Sequence, residues 1–460
     1  PGSRTRRDDV PLLGREHELA VLHHAVDLSI TGNRPLLALL VGDVGMGKSR
    51  LADEVATWAG RAHATITRVG RCVPYGEANV WWPVADALRD GLGGVDGQPI
   101  DEARRTVGER VAAALDRPAR DPEVERTTDG LLALLGHDVA PNGDPATVRQ
   151  DAGRALTVYV DHLTSRQPLV LELSDLHWAD DAVLALVDDL FATLGHRPVV
   201  VLATARPALL DRWTPRPGRH NTMIVHVEAL GRAAAQDLLE HLVGEAVEPQ
   251  VAELLIDRSG GNPFFLEELV NLLDGAAGAS VVADGAEGLP DTLRGLVAAR
   301  LDDLGPMARA VLQNASVIGQ RGPIDGLREM GRQMAGGADV DGGLAELVDE
   351  EIMEVGEDQW SFRSDLVREV AYQTITKADR AKCHLGIAHH LEAELGVRHP
   401  RPAWLVDQLA HHYGTAVALA LSMFDAPWAA AGVLCLAAAV LLLDRTPRTA
   451  LVALGTLGLE

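Results

Sequence analysis

The sequence contains few cysteines and few basic residues. Its three cysteines, Cys72, Cys383 and Cys435, lie far apart and match no metal-ligand spacing. Such usage is typical of a reducing compartment, so we expect buried thiols and a cytoplasmic protein. The 66 acidic residues outnumber the 42 basic ones, which gives a formal net charge of −24. This balance argues against a large nucleic-acid-binding surface, which needs clustered lysine and arginine.

Lysine is the scarcest charged residue, because only three of the 42 basic residues are lysine. One of them lies in the segment 42–49, GDVGMGKS, which fits G-x-x-x-x-G-K-[ST], the pattern of the phosphate-binding loop. At this chain's composition roughly 0.003 accidental matches are expected, so the motif is specific. A compact ammonium fits inside such a loop and a planar guanidinium does not, which explains a lysine in an arginine-rich chain.

The flanks of this loop have the pattern that its chemistry requires. The apolar run 35–41 predicts a buried parallel strand, and apolar residues from Leu51 to Ala59 recur at helical spacing. Backbone N–H groups of the loop and the helix N-terminus can then hold phosphate oxygens. Lys48 is expected to reach the β- and γ-phosphates, and the Ser49 hydroxyl to ligate Mg²⁺. The nucleotide-binding residues predicted in this loop are Gly42, Gly45, Gly47, Lys48, Ser49 and Arg50.

A second apolar strand, 168–173, is followed by Ser174 and Asp175. A carboxylate at the end of such a strand can hold Mg²⁺ or polarise an attacking water. A solvated acid that caps the next helix is the alternative, and pairing with the phosphate loop favours the functional interpretation. Many nucleotide hydrolases have two adjacent acids here. Ser174 leaves only one, which bears on the rate of hydrolysis more than on binding.

A third buried strand, 198–203, leads to Arg206. An arginine at a strand end can sense the γ-phosphate, and a surface arginine is the alternative that spacing leaves open. A further strand is predicted at 223–227. Alternation of strands and helices up to residue 230 predicts a parallel α/β sheet.

The remainder of the chain is predominantly helical in pattern. Residues 233–273 are interrupted by a Gly-Gly-Asn-Pro turn within 259–265. Residues 352–362 predict a β-hairpin with a polar turn, and helices on both sides give the outline of a winged helix. Residues 366–412 predict amphipathic helices rich in histidine and arginine.

These segments together resemble the regulatory P-loop ATPases of the STAND type, within the AAA-like ATPases. Such modules occur in bacterial adenylate/guanylate cyclase-like proteins, the closer match here, and in large LuxR-type regulators. The matching segments are LLGREHEL at 12–19, VGDVGMGKSRL at 41–51, GRCVPYGEANVWWPVADALR at 70–89, LVLELSDLHWADD at 169–181, VVLATARP at 200–207, SGGNPFFLEELV at 259–270, LPDTLRGLVAARLDDL at 289–304 and FRSDLVREVAYQTI at 362–375.

The resemblance implies an α/β P-loop NTPase domain with a parallel sheet, followed by a helical lid, a winged helix and a TPR-like helical segment. The expected divisions are a linker at 1–10, the nucleotide domain at 11–230, the lid at 231–288, the winged helix at 289–375 and the helical segment at 376–460.

The resemblance also implies roles for individual residues. Leu13, Gly14 and Arg15 would lie near the adenine, Arg206 would sense the γ-phosphate, and Pro263 in the lid would touch the base. The chain departs from the family at two positions. Ser174 replaces the usual first acid, and Ser364 stands where related sequences often have a histidine that is a candidate β-phosphate contact.

The leading hypothesis is therefore an ATP- or ADP-binding switch with Mg²⁺ that hydrolyses ATP slowly. In it, the two nucleotide states differ in the docking of the lid and the winged helix, and this difference controls an output domain or partner protein. A nucleotide-stabilised scaffold without turnover is the first alternative. A LuxR-type DNA-binding regulator is the second, although no direct nucleic-acid contact is expected from this chain.

The segment 426–443 contains no charged residue. As a helix it would be about 27 Å long, slightly less than the roughly 30 Å hydrocarbon core of a bilayer. A membrane span and a buried helix of a TPR-like array are therefore both open, and its alanine-rich composition favours the repeat.

Overall fold

The computed structural model describes residues 11–72, 81–95, 98–137, 139, 144–215, 221–243, 248–274, 292–334, 339–356, 359–397 and 403–421. The described residues divide into two compact units, one formed by residues up to 274 and one formed by residues from 292 onward. The charge-free segment 426–443 lies outside the described residues. Among the residues described, no helix combines the length and apolar character needed to cross a membrane.

The first unit is built on a five-stranded sheet in which every pair of neighbouring strands is parallel. The strand order is β2-β3-β4-β1-β5. This confirms the α/β class with a parallel sheet. The strands are β1 (Leu36–Val41), β2 (Ile66–Arg71), β3 (Leu169–Ser174), β4 (Val199–Ala205) and β5 (Thr222–His226).

Helices cover both faces of this sheet. The strands β1, β3 and β4 are buried along their whole length, which explains their continuous apolar runs. The helices up to β5 are α1 (Glu16–Thr31), α2 (Lys48–His63), α3 (Trp82–Leu92), α4 (Ile100–Leu115), α5 (Pro122–Leu134), α6 (Pro145–Thr164), α7 (Asp181–Thr193) and α8 (Leu209–Arg212).

The two faces of the sheet form separate hydrophobic cores, because successive residues of a strand point to opposite sides. On β3, Leu171 and Leu173 lie in the core that includes residues of α3 to α7. Val170 lies in the other core, with residues of α1 and α2. The phosphate-loop helix α2 is therefore held to the sheet by its own apolar face.

The first helix is longer than its sequence pattern predicted. The segment LLGRE at 12–16 predicts the start of a helix that ends near His24, but α1 continues to Thr31. The reason is tertiary, since Val26 is fully buried against the α1–α2 side of the sheet and Ser29 is buried as well. The chain leaves the helix at Gly32, whose N–H still bonds to the Leu28 carbonyl at 3.0 Å.

After β5 the first unit continues into three helices, α9 (Arg232–Val243), α10 (Pro249–Ser259) and α11 (Pro263–Asp274). They pack against one another. Gly260 and Gly261, between α10 and α11, both have left-handed backbone torsions. At Gly261 an added Cβ would lie 2.3 Å from the Leu230 carbonyl oxygen, so this turn requires glycine.

The second unit combines helices with a small antiparallel sheet of order β6-β8-β7. The predicted hairpin is confirmed, with Met353 opposite Phe362 and Val355 opposite Trp360. The strand β6 was not predicted, because three residues containing Gly and Pro carry no alternating pattern. The strands are β6 (Arg321–Pro323), β7 (Met353–Val355) and β8 (Gln359–Phe362).

Trp360 and Phe362 are almost completely buried and anchor this small sheet. Ser364 accepts a hydrogen bond from the Leu366 N–H at 3.2 Å and so caps the next helix. The helices of this unit are α12 (Leu293–Asp302), α13 (Pro306–Ile318), α14 (Ile324–Met334), α15 (Val340–Asp349), α16 (Asp365–Thr374), α17 (Lys377–Val397) and α18 (Ala403–Leu421).

Candidate functional site

The loop 42–47 connects β1 to the N-terminus of α2, which is the connection that the sequence predicted. Gly47 has φ 84° and precedes the first residue of the helix, a conformation that side chains other than glycine rarely adopt. Gly45 has φ 83°, and a Cβ there would lie 2.6 Å from Asn262 Oδ1. The glycines therefore permit both the turn and the close approach of another segment.

Lys48 lies at the start of α2 and is 9% exposed. Its Nζ donates a hydrogen bond to the carbonyl oxygen of Asp43 at 2.7 Å, so the ammonium is held across its own loop. Ser49 and Arg50 are half-buried beside it. Open space next to Gly47, a buried ammonium and the positive end of a 16-residue helix form a donor set that fits a polyphosphate. Ser49 could hold Mg²⁺ through its hydroxyl.

The strand order brings the ends of β3 and β4 to the same sheet edge as the phosphate loop. Asp175 directly follows β3 and has φ 59°, a left-handed conformation uncommon for an aspartate. Its N–H donates to the Thr204 Oγ1 at 3.0 Å, and Thr204 is completely buried in β4. This bond fixes the backbone turn that places Asp175 at the carboxyl end of the sheet, where open α/β sheets bind ligands.

Arg206 directly follows β4 and is half-buried. Its guanidinium carbon lies 5.8 Å from the centre of the Trp178 ring, within cation–π range. The backbone N–H of Arg206 donates to His177 Nδ1 at 3.4 Å. Arg206 and Asp175 are thus brought to the same edge, on turns that follow adjacent strands.

Arg15 is 4% exposed and binds the phosphate loop from outside. Its guanidinium donates to the carbonyl oxygen of Met46 at 3.1 Å and to that of Glu228 at 2.5 Å. It therefore joins the loop to the segment that follows β5. The predicted proximity to adenine stays a prediction, and the contacts give Arg15 a role in positioning the loop.

The turn before α11 contacts the phosphate loop directly. Asn262 Nδ2 donates to the carbonyl oxygen of Val44 at 2.9 Å, and the Phe264 N–H donates to the carbonyl oxygen of Gly45 at 3.3 Å. Pro263 occupies the first turn of α11, where a missing N–H costs nothing. Asn262 was missed by sequence reasoning, and its position in a Gly-Gly-Asn-Pro turn was the available signal.

Thr204 was also missed, and Glu172 was not among the predicted site residues. Glu172 is 2% exposed on β3 and lies near the carboxyl group of Asp53 on α2. Ser174 Oγ donates to Glu172 Oε1 at 3.5 Å. Burial, followed by the negative charge of Asp53, raises the pKa of Glu172 to about 8, and Arg71 opposes this in part. Glu172 is therefore mostly protonated at neutral pH, which makes it a poor general base there.

This proton gives the stability of the first unit a pH dependence. An unfolded glutamate loses its proton near pH 4.3, whereas folded Glu172 keeps it to about pH 8. The contribution of Glu172 to the free energy of unfolding is therefore complete below about pH 4.3 and is lost as the pH rises to about 8, by up to about 1.4 kcal/mol per pH unit. Glu172→Gln cannot ionise, so we expect a flatter profile of unfolding free energy in urea between about pH 5 and about pH 8.

Glu109→Gln is the matched control for this prediction, because Glu109 is exposed on α4. It should follow the pH profile of the parent. Parallel profiles for Glu172→Gln and the parent would contradict retention of the proton by Glu172.

Residues 11–202 match the family model described as "AAA ATPase domain". The match covers the phosphate loop, α2, β3 and Asp175, and it ends within β4. An uncharacterized protein of Rhizobium meliloti (strain 1021) is 27% identical over 396 residues, which cover 81% of this chain. The chain spans only 36% of the length of that relative.

Solved structures give more distant similarities. One is a Signal Transduction ATPase with Numerous Domains (STAND) protein with a tetratricopeptide repeat sensor from Pyrococcus horikoshii, at TM-score 0.47 and 13% identity, covering 91% of this chain and 49% of that one. Another is the Aeropyrum pernix ORC1 protein in complex with DNA, at TM-score 0.37 and 16% identity, covering 80% and 95%. Thermotoga maritima RuvB has TM-score 0.34 and 16% identity, covering 79% and 97%.

Proposed function

We propose that this chain, which carries an AAA ATPase domain over residues 11–202, is an ATP-dependent regulatory switch module of a bacterial signalling protein of the cyclase-like group. In this proposal Gly42 to Arg50 bind the phosphates, Asp175 organises Mg²⁺ and water, and Arg206 senses the γ-phosphate. Residues 289–375 act as a winged helix and residues 376–460 begin a TPR-like array. The signal is passed to an output domain or partner protein.

The observation that carries the proposal is the direct hydrogen bonding between the phosphate loop and the turn before α11. Two backbone carbonyls of the loop, those of Val44 and Gly45, accept bonds from Asn262 and Phe264. A phosphate would bind N–H groups of the same loop whose carbonyl groups hold the start of α11, so phosphate binding and the position of α11 are coupled. This coupling supports a switch, because a ligand shifts an equilibrium only through different contacts in the two states.

The test is amide hydrogen exchange of α11 in three states: nucleotide-free, with Mg²⁺–ADP, and with a non-hydrolysable Mg²⁺–ATP analogue. A switch requires exchange rates in α11 that differ between the ADP and ATP-analogue states. The amides of β1 lie in the sheet core and serve as the internal reference, with equal rates in both states. Identical exchange of α11 with the two nucleotides would reject the switch.

A nucleotide-stabilised scaffold without turnover is the second candidate, and Ser174 is the observation that favours it. Ser174 is 2% exposed and hydrogen-bonded to Glu172, so the position before Asp175 supplies a hydroxyl where many nucleotide hydrolases have a carboxylate. Single-turnover measurement of ATP hydrolysis separates the two candidates. Absence of hydrolysis above background would favour the scaffold.

Arg206→Ala is expected to weaken binding of the ATP analogue by about 10- to 100-fold and to leave ADP binding nearly unchanged, because ADP has no γ-phosphate. Calorimetric titration with both nucleotides measures this difference. Arg61→Ala is the matched control, since Arg61 is exposed on α2. Equal losses for ATP and ADP in the Arg206 variant would contradict a sensor role.

A further inference from the structure

Three histidines gather between two helices of the second unit, far along the chain from the phosphate loop. His384 lies on α17, and His411 and His412 lie next to each other on α18. One ring nitrogen from each of the three falls within 4.8 Å of those of the other two. His384 is 3% exposed and His412 is 5% exposed, while His411 is half-buried.

We propose that His384, His411 and His412 form a binding site for a divalent transition-metal ion, for which Zn²⁺ is the representative ion. The site belongs to the second unit alone and does not depend on the nucleotide function. Among the described residues this is the one group of ligand-type side chains close enough to share an ion.

The ligand chemistry selects the class of ion. Imidazole nitrogens bind zinc and neighbouring late transition metals, whereas Mg²⁺ and Ca²⁺ prefer oxygen ligands. The group contains three imidazoles and no carboxylate. Three histidines with a fourth position for water are an established zinc coordination set.

The ring contacts show what must move when an ion binds. The Nδ1 atoms of His384 and His412 lie 2.8 Å apart and share a hydrogen bond. Nitrogens around a tetrahedral zinc are about 3.3 Å apart, given bonds of about 2.0–2.1 Å. Binding therefore requires this pair to separate by about half an ångström, and nitrogens that lie up to 4.8 Å apart to approach by up to about 1.5 Å. The ion then replaces the shared proton of the His384–His412 hydrogen bond, and this proton moves to the Nε2 of the histidine that carried it.

A supporting contact already orients His384. Its Nε2 lies 3.0 Å from the hydroxyl of Tyr372, and the Tyr372 ring in turn lies under the guanidinium of Arg380 at 4.9 Å. With Nδ1 on the ion, Nε2 carries the proton and donates to the Tyr372 hydroxyl. Metal-bound histidines commonly have such a partner on their second nitrogen, and it fixes the tautomer and ring orientation.

The experiment titrates Zn²⁺ into the full chain, first stripped of metal and free of nucleotide, in competition with a chromophoric chelator. We expect one zinc site whose affinity falls at least about 10-fold in His411→Ala, the variant least disruptive to packing. His389→Ala is the matched control, because His389 is exposed on the same helix α17. It should bind Zn²⁺ as the parent does.

A second measurement does not depend on a variant's folding. Co²⁺ bound by the parent should give the visible absorption of a nitrogen-ligated ion without the charge-transfer band of a thiolate. This excludes Cys383, which neighbours His384 and is itself buried. Failure of the parent to bind Zn²⁺, a thiolate band with Co²⁺, or equal zinc affinity in the parent and His411→Ala would overturn the proposal.

Discussion

Lys48→Ala is expected to reduce binding of Mg²⁺–ATP by about 100-fold, which corresponds to about 3 kcal/mol. The reason is the loss of a buried ammonium at the centre of the phosphate loop. Lys48 is 9% exposed and its Nζ is held 2.7 Å from the Asp43 carbonyl, so it already lies within the loop. Isothermal titration calorimetry with ATP and Mg²⁺ measures the change.

Two further variants sharpen this prediction. Lys377→Ala removes an exposed lysine at the start of α17 and should leave ATP binding unchanged. Lys48→Arg keeps the charge but is expected to bind ATP poorly, because a planar guanidinium does not fit inside the loop where a compact ammonium does. ATP binding by Lys48→Ala equal to that of the parent, with an unchanged thermal unfolding midpoint, would refute the assignment of the loop.

Asp175→Asn is expected to slow single-turnover hydrolysis of ATP by roughly 10²- to 10³-fold while ATP binding survives. A charge that organises water and metal acts mainly in the transition state, so its removal lowers the rate more than the affinity. The amide keeps the shape of the side chain, and the Asp175 N–H bond to Thr204 is a backbone contact that the substitution retains. Rapid-quench measurement of product with enzyme in excess gives the rate.

Asp189→Asn is the control for Asp175→Asn, because Asp189 is an exposed acid on α7. It should hydrolyse ATP at the parental rate. Full activity in Asp175→Asn would move the role to another acid. Glu172 is a poor candidate for that role, since it is mostly protonated at neutral pH. Asp180 is the other nearby acid; it is exposed, and its carboxylate accepts a hydrogen bond from the Ala182 N–H at 2.8 Å, which caps α7.

Much of the first unit could be predicted from local pattern. A motif with a fixed chemistry predicts the phosphate loop. Continuous apolar runs predict the buried strands, and their alternation with helices predicts a parallel sheet. Strand β1 was placed to within one residue, because burial on both faces leaves no polar position along it. The hairpin of β7 and β8 was likewise visible, since its two strands are separated by a short polar turn.

The end of α1 and the strand β6 could not be predicted in this way. Helix α1 continues past His24 because its last turns are buried against the sheet, and burial depends on residues distant in sequence. Strand β6 exists because Gly322 pairs with Trp360 of β8. Neither segment has a strong preference of its own, so the tertiary partner decides its structure.

The sequence by itself determined which residues can bind phosphate, because that chemistry needs glycines, a lysine and a hydroxyl within one short loop. Only the tertiary structure decided which residues support them. Asn262 reaches Val44 across 218 positions of sequence, and Thr204 reaches Asp175 across 29. The protonated state of Glu172 has the same origin, since burial and a neighbouring carboxyl group on α2 raise its pKa. These hydrogen bonds and this raised pKa depend on distances between residues that are far apart in the sequence. Those distances are set only when the chain folds.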